Sequence, residues 1–296
     1  MTHSLPPGRM PWTHWLPRCI THLSFVQGSL IFALLMLVAS WVFVLGLDRQ
    51  QASSFFSGET LQRAARFIKD LLGVDALGSP AFADASEWRR TGALAYETLA
   101  MSVLAISLAA AGALATFMFG ARNVMTGELA PGARWASGAV LFVVRASWAL
   151  VRGVPELVWA LLIVFVFSPG ILPGAIALAI HNYGVLGKLS AEVVEGLDLK
   201  PAQALRSAGA NRLQVLAYAV LPQALPRFLT YLLYRWEVII RTTIVVGFVA
   251  AGGLGMEFRL SMSNFHYTTV TLLLMWYLVL VLGVDLVSAG LRRLAK

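Results

Sequence analysis

AEVVEGLDLKPAQALRSAGANRLQVLAYAVLPQALP, residues Ala191–Pro226, is the one long stretch that reads as water-facing helix between two apolar runs. Pro201 suits a first helical turn, where its missing N–H costs nothing. Gln203 to Ala208 continue in good helix formers, and Gly209 supplies the residue that can turn left-handed and end a helix. Asn211, with Gln214 three residues on, makes a capping-box start for a second helix. Leu221-Pro222 then reads as the stop of that helix. The pattern predicts two short helices joined by a glycine bend.

The solvent on either side of this bend is lipid. The chain has 296 residues, 58% apolar and 13% charged, with a mean hydropathy of +0.73. A soluble domain carries about 25% charged residues, so too few polar side chains exist to cover a water-facing surface. The formal net charge of +8 is then an orientation signal of a membrane protein. No basic run with interleaved aromatics marks a nucleic-acid binder. Cys19 is the single cysteine, which excludes an internal disulfide and any cysteine-built metal site. Residues 1–22 lack the pattern of a cleavable leader and read as a cytoplasmic tail.

Six apolar runs follow outward from the bend. Leu23–Leu47 has no charged side chain and is long enough for a bilayer core of about 30 Å. Residues 48–96 form an outer loop of mixed charge. Within it Leu61, Ala64, Ala65, Ile68 and Leu72 recur at helical spacing opposite Arg63, Arg66 and Asp70, an amphipathic helix ending near Gly73. Thr98–Ala121, rich in small residues, is span two and begins a core of residues 97–296. Span three lies within Trp135–Phe167, kinked at Pro155. Span four is Ala175–Ala191, and the loop 192–226 returns the chain to span five, Phe228–Ala251. Span six is Tyr267–Gly290. Arg9, Arg18, Arg122, Arg134, Lys200, Arg206, Arg212, Arg227, Arg292, Arg293 and Lys296 fall on one side, which places both termini and the bend in the cytoplasm. The fold class is all-α integral membrane with six transmembrane helices.

Ionisable side chains at membrane depth face a protein interior or a watery path by default. Arg145, Arg152, Glu156, Arg235, Glu237 and Arg241 meet that description. Arg152 and Glu156 stand four apart, as do Glu237 and Arg241, the spacing of an intrahelical ion pair. These residues either line a translocation path or fix helix packing. Gly252, Gly253 and Gly255 end span five, as a gate or as a simple helix end. His181, Asn182 and Tyr183 form a polar patch in span four, expected to make interhelical hydrogen bonds rather than a metal site.

Hydrolase, zincin and Walker-type signatures are missing, so any ATP that drives this chain is hydrolysed elsewhere. The spacing of Gln203-Ala204-Leu205, Gly209 and Leu221-Pro222 resembles the cytoplasmic coupling motif of ABC-importer permeases, with Gln203 where that family carries an acid. Arg152-Gly-Val-Pro-Glu-Leu-Val-Trp-Ala160, Tyr234-Arg-Trp-Glu-Val-Ile-Ile-Arg241 and Val246-Gly-Phe-Val-Ala-Ala-Gly-Gly-Leu-Gly255 are similar to the phosphonate branch, which includes phosphite and hypophosphite importers. The resemblance covers roughly residues 97–296.

That resemblance implies a type I, methionine-importer-like permease fold in a bacterial inner membrane. It implies no cofactor and no enzymatic activity of the chain itself. The partners it implies are two copies of an ABC ATPase gripping the helix around Gln203–Gly209, a second permease that is an identical copy, and a periplasmic substrate-binding protein. The cargo would be a phosphonate or related phosphorus oxyanion. An importer of the same fold for an amino acid or other small solute is the alternative. A polytopic membrane enzyme is a third.

Overall fold

Apolar character sustained over long stretches leaves backbone groups to be satisfied within each segment, which an all-helical chain achieves. A computed structural model describes residues 24–47, 57–74, 79–127 and 134–294. Among these, helices account for all regular structure. Residues 1–22, with Arg9, Arg18 and Cys19, and also Glu128 and Lys296, lie outside the described residues.

The chain divides into two units, Met1–Phe67 and Ile68–Lys296. In the first, α1 spans Phe25–Leu47; Leu30, Phe32, Leu35, Trp41 and Phe43 are all exposed, as on a helix whose solvent is hydrocarbon. The amphipathic helix α2 spans Gly58–Leu72. It ends as expected at Gly73, whose φ is +67°. Gly73 N–H donates to the Asp70 carbonyl and Val74 N–H to the Lys69 carbonyl, both at 3.1 Å, the two bonds of a Schellman cap.

In the second unit, α3 runs Ala85–Gly120, so the run expected as Thr98–Ala121 is the inner part of a longer helix. Asp84 caps its start, accepting from Ser86 N–H at 2.8 Å, and the Ser86 amide and hydroxyl hold its carboxyl below the ordinary carboxylate range. After the short helix α4, Arg122–Met125, come α5, Arg134–Gly153, and α6, Glu156–Val166. These two meet at 90°. The expected kink at Pro155 is therefore a full break, because Gly153 ends one helix and Pro155 precedes the other. Two freed carbonyls are recaptured: Trp159 Nε1 donates to Val151 O at 2.9 Å, and His181 Nδ1 lies 3.1 Å from Val154 O.

The central helix α7, Ile171–Glu195, packs on α3, α5, α6 and the later helix Leu221–Val246. Ala105, Ala109 and Ala113 of α3 are fully buried with Ala175, Leu178 and Leu186 of α7; alanines every fourth residue let two backbones approach. The bend follows as α8, Lys200–Ser207, and α9, Arg212–Val215.

Here the structure corrects the sequence. Leu221-Pro222 does not stop the second helix. A π turn over Leu216–Val220 carries it into α10, Leu221–Val246. The Leu221 N–H reaches back to the Leu216 carbonyl, and Gln223 Nε2 donates to Ala219 O at 2.6 Å, so the ladder is satisfied around an imide that cannot donate. A second π turn, Gly247–Ala251, precedes α11, Gly253–Ser263. The last helix, α12, spans Tyr267–Leu294.

Among the described residues three helices are long and apolar enough to cross a membrane, α1, α3 and α12, or up to five if each bent pair counts as one span. The central α7 is outside that set. Its His181, Asn182, Lys188, Glu192 and Glu195 lower its hydropathy; His181, Asn182 and Glu195 find partners in neighbouring elements, while Lys188 and Glu192 pair within α7.

Candidate functional site

At one end of the second unit the helix–glycine–helix bend stands proud of the bundle. Asp198 Oδ1 accepts from Lys200 N–H at 3.0 Å, and Pro201 sits in the first turn of α8. Ala202 is 2% exposed and anchors the helix to Ala191, Val194, Val215, Ala219 and Val220. Gln203, Ala204, Arg206 and Gly209 face outward, and Leu205 is half-buried. Gly209 has φ +85°. Its N–H donates to Arg206 O and that of Ala210 to Leu205 O, both at 3.0 Å, a second Schellman cap. Asn211 Oδ1 then accepts from Gln214 N–H at 2.9 Å, and Gln214 Oε1 from Asn211 N–H at 2.8 Å, completing a capping box. Leu213 and Tyr218 beside the bend are 76% and 75% exposed. The capped bend thus presents Gln203, Ala204, Arg206, Leu213 and Tyr218 outward. Leu221 and Pro222 open α10 behind it.

Arg145, Glu237 and Arg241 are paired between helices, not within them. Arg152 and Glu156 are separated by the 90° break, so their four-residue spacing no longer puts them on one face. Glu237 pairs with Arg292 of α12. Arg241 Nη2 donates to both oxygens of Asp285, at 2.9 and 2.8 Å. The expected Glu237–Arg241 pair is thus replaced by two pairs to α12, Glu237 with Arg292 and Arg241 with Asp285. Asp285 is the residue that the sequence reading passed over. It is an acid in an apolar run, the same signal that singled out Glu237.

Arg145 binds Glu195 and donates from Nε to Gly120 O at 2.9 Å. Glu195 also accepts Arg122 N–H at 2.7 Å, so one carboxylate ties α4, α5 and α7 together. Trp148 lies in a slot cut by two glycines: a Cβ on Gly120 would fall 1.9 Å, and one on Gly187 2.4 Å, from its ring atoms.

Deeper in the bundle Arg235 donates from Nε and Nη2 to Asn182 Oδ1, at 2.9 and 2.5 Å, while Asn182 Nδ2 donates to Leu178 O at 2.7 Å. Glu156 is an electrostatic neighbour of Arg235, and its carboxylate lies 3.9 Å from His181 Nε2. A carbonyl only accepts, so His181 carries a proton on Nδ1 toward Val154. Of the polar patch, His181 and Asn182 therefore bond to neighbouring elements. Tyr183 packs over Gly112 of α3, where a Cβ would come within 2.9 Å of its ring. Glu156, His181, Asn182 and Arg235 make one polar centre where α6, α7 and α10 converge.

At the far end from the bend, Gly252 and Gly253 take φ +89° and +65°. Leu254 N–H donates to Thr98 Oγ1 at 2.9 Å. A Cβ on Gly255 would lie 2.2 Å from Ile244 O, and one on Gly247 2.7 Å from the Gly255 Cα. These glycines place backbone against backbone at a sharp reversal. A cleft of about 750 Å³ opens nearby, with Asp70, Asp84, Glu87 and Glu257 around Arg90.

Residues 124–295 match the family described as binding-protein-dependent transport system inner membrane component. A phosphite transport system permease protein, PtxC of Stutzerimonas stutzeri, is 38% identical over 197 residues, 67% of this chain and 68% of its own. A phosphate-import permease protein, PhnE of Mycolicibacterium smegmatis, is 35% identical over 205 residues, 69% of this chain and 37% of its own. Among solved structures, a chain of the MetNI methionine ABC transporter in an inward-facing conformation superposes with a TM-score of 0.61 at 18% identity, covering 72% of this chain and 99% of that one. At that identity the likeness is one of fold.

Proposed function

The chain belongs to the family of binding-protein-dependent transport system inner membrane components, and from that premise we propose that it carries a phosphorus oxyanion, phosphite or a phosphonate, across the bacterial inner membrane. It is a multi-pass transport subunit and not an enzyme; a separate ATPase and a substrate-binding protein complete the importer. The identity to phosphite and phosphate-import permeases is the observation that carries the substrate class. The Arg235–Asn182 pair supports it, because a guanidinium held by a neutral amide keeps its charge for an anion.

In this reading the chain crosses six times, with α7 as the central span and both termini in the cytoplasm. Two identical copies face each other. Two ATPases grip the bends through Gln203, Ala204, Leu205 and Gly209, and Leu221-Pro222 with the π turn transmits the movement into α10. Arg235 meets the cargo. Arg145, Glu237 and Arg241 hold helices in register. Gly252, Gly253 and Gly255 form the outer hinge, and the binding protein delivers its load at that end. ATP shifts the balance of inward- and outward-facing forms only through contacts that differ between them.

The test is reconstitution in proteoliposomes with the ATPase and binding protein encoded for it. ATP-dependent uptake of phosphite or a simple phosphonate is expected, with uptake falling at least tenfold in Arg235→Gln while ATP hydrolysis persists. Uptake of an amino acid in place of either oxyanion would overturn the substrate class. Undiminished oxyanion uptake in Arg235→Gln would remove Arg235 from the path.

A further inference from the structure

Between α5 and the last turns of α7, near the bend, lies a small pocket of about 130 Å³ lined by Arg145, Trp148, Arg152, Lys188, Ala191 and Glu192. That is room for about four waters at ~30 Å³ each, or for one tetrahedral oxyanion. Arg145, Trp148 and Arg152 fall at intervals of three and four along α5, and Ala191 and Glu192 lie three and four residues after Lys188 on α7, so both helices present one face to it.

Three features distinguish this pocket from an ordinary charged groove. Arg152 makes no hydrogen bond or ion pair among the described residues, whereas the other arginines singled out at membrane depth are bonded to a carboxylate or an amide. Trp148, whose side chain borders the pocket, is 2% exposed, and its indole N–H, set against Gly187, has no acceptor. Buried donors of this kind are rare and call for an explanation. Finally, the lining is rich in donors: two guanidiniums, an ammonium and an indole, against the single carboxylate of Glu192. That carboxylate is already held by Lys188 at 3.3 Å, and Arg145 is engaged by Glu195. What the pocket lacks is an acceptor for Arg152 and Trp148. The polar centre around Arg235 is built from other residues, so with the path placed at Arg235 as proposed above this pocket is a second site.

We propose that the α5–α7 pocket binds a phosphate-type oxyanion, with Arg152 as its principal contact, Lys188 as the second cation and the Trp148 indole as a buried donor. Such an anion has two sources: the headgroup of an anionic phospholipid, which basic pockets between helices at the cytoplasmic face suit, or a phosphorus oxyanion free in solution. Both present several acceptor oxygens to a planar guanidinium, which grips them in pairs. Occupancy would tie α5 to the end of α7 from which the bend hangs.

The full-length chain, purified and stripped of lipid, is titrated in two arms. One follows phosphatidylglycerol against phosphatidylcholine by native mass spectrometry. The other follows inorganic phosphate by the change in tryptophan fluorescence. Saturable binding is expected in at least one arm, weakened about fivefold by Arg152→Ala and again by Lys188→Gln, the effect of one cation each. Arg259→Ala, which removes an equal charge from an exposed site on α11, is expected to leave binding unchanged. Binding of phosphatidylglycerol alone assigns the pocket to lipid, binding of phosphate alone assigns it to a soluble anion, and both support the site. Loss of affinity in Arg259→Ala equal to that in Arg152→Ala, or no saturable binding in either arm, overturns it.

Discussion

Replacing Gly209 tests the bend with a magnitude that the structure sets. Gly209 sits at φ +85°, and a Cβ there would meet nothing within 4 Å. Packing therefore contributes nothing to the cost of a side chain, and only the backbone term is left. For alanine in a left-handed conformation that term is about 1–2 kcal/mol. Relaxing out of it would break the two Schellman bonds to Arg206 and Leu205, each worth about 1 kcal/mol net, so escape is no cheaper than strain. If the ATPase docks only on the left-handed bend, its affinity falls by the fraction of permease that has relaxed out of it, about twofold where strain and escape balance. Asparagine visits this conformation readily and should recover most of the loss, while a β-branched valine should do worse than alanine. The assay is titration of the ATPase subunit onto the permease in nanodiscs, with uptake measured in parallel. The predicted order is Gly, Asn, Ala, Val. Equal affinities for Asn, Ala and Val, or no loss in any of them, would refute the conformational argument.

Two further predictions concern the bundle. Gly120→Ala places a Cβ 1.9 Å from the Trp148 ring; overpacking of this kind costs about 1–3 kcal/mol and should lower the thermal midpoint in detergent, with Trp148→Leu in the same chain restoring much of it. Arg241→Ala strands the Asp285 carboxylate on α12 at a cost of about 3 kcal/mol on insertion scales. The exchange Arg241→Asp with Asp285→Arg should recover folded yield where either change alone does not, as size-exclusion profiles will report.

How far the sequence reaches depends on whether a feature is decided locally. The bend was legible because capping is chemistry among neighbours: a glycine that can turn left-handed and an Asn–Gln pair three residues apart specify their own hydrogen bonds. The end of α2 at Gly73 was legible for the same reason. The partners of Glu237 and Arg241 were not. Four-residue spacing offers a weak intrahelical pair, and α12, distant in sequence, offers Arg292 and Asp285 instead. Pro155 marked where span three fails but not by how much, because the right angle is secured by Trp159 reaching back across the break and by His181 of α7 reaching a carbonyl within it. Pro222 read as a stop because its missing N–H ends an α-helical ladder, whereas a π turn lets the helix continue. The slot for Trp148 needs Gly120 and Gly187 from two other helices, a coincidence that no local pattern announces. Among the site residues, Arg235 stood out from the sequence as an ionisable group at depth, but its amide partner emerged only from packing.

Cross-linking from the outward face of α8 tests the central claim most directly. In a Cys19→Ser background, a thiol introduced by Ala204→Cys is expected to form a covalent adduct with the ATPase subunit in inside-out vesicles, at a yield that changes when ATP binds. Absence of that adduct, together with labelling of the same thiol in intact cells by a reagent that cannot cross the membrane, would put the bend on the wrong side and contradict the account.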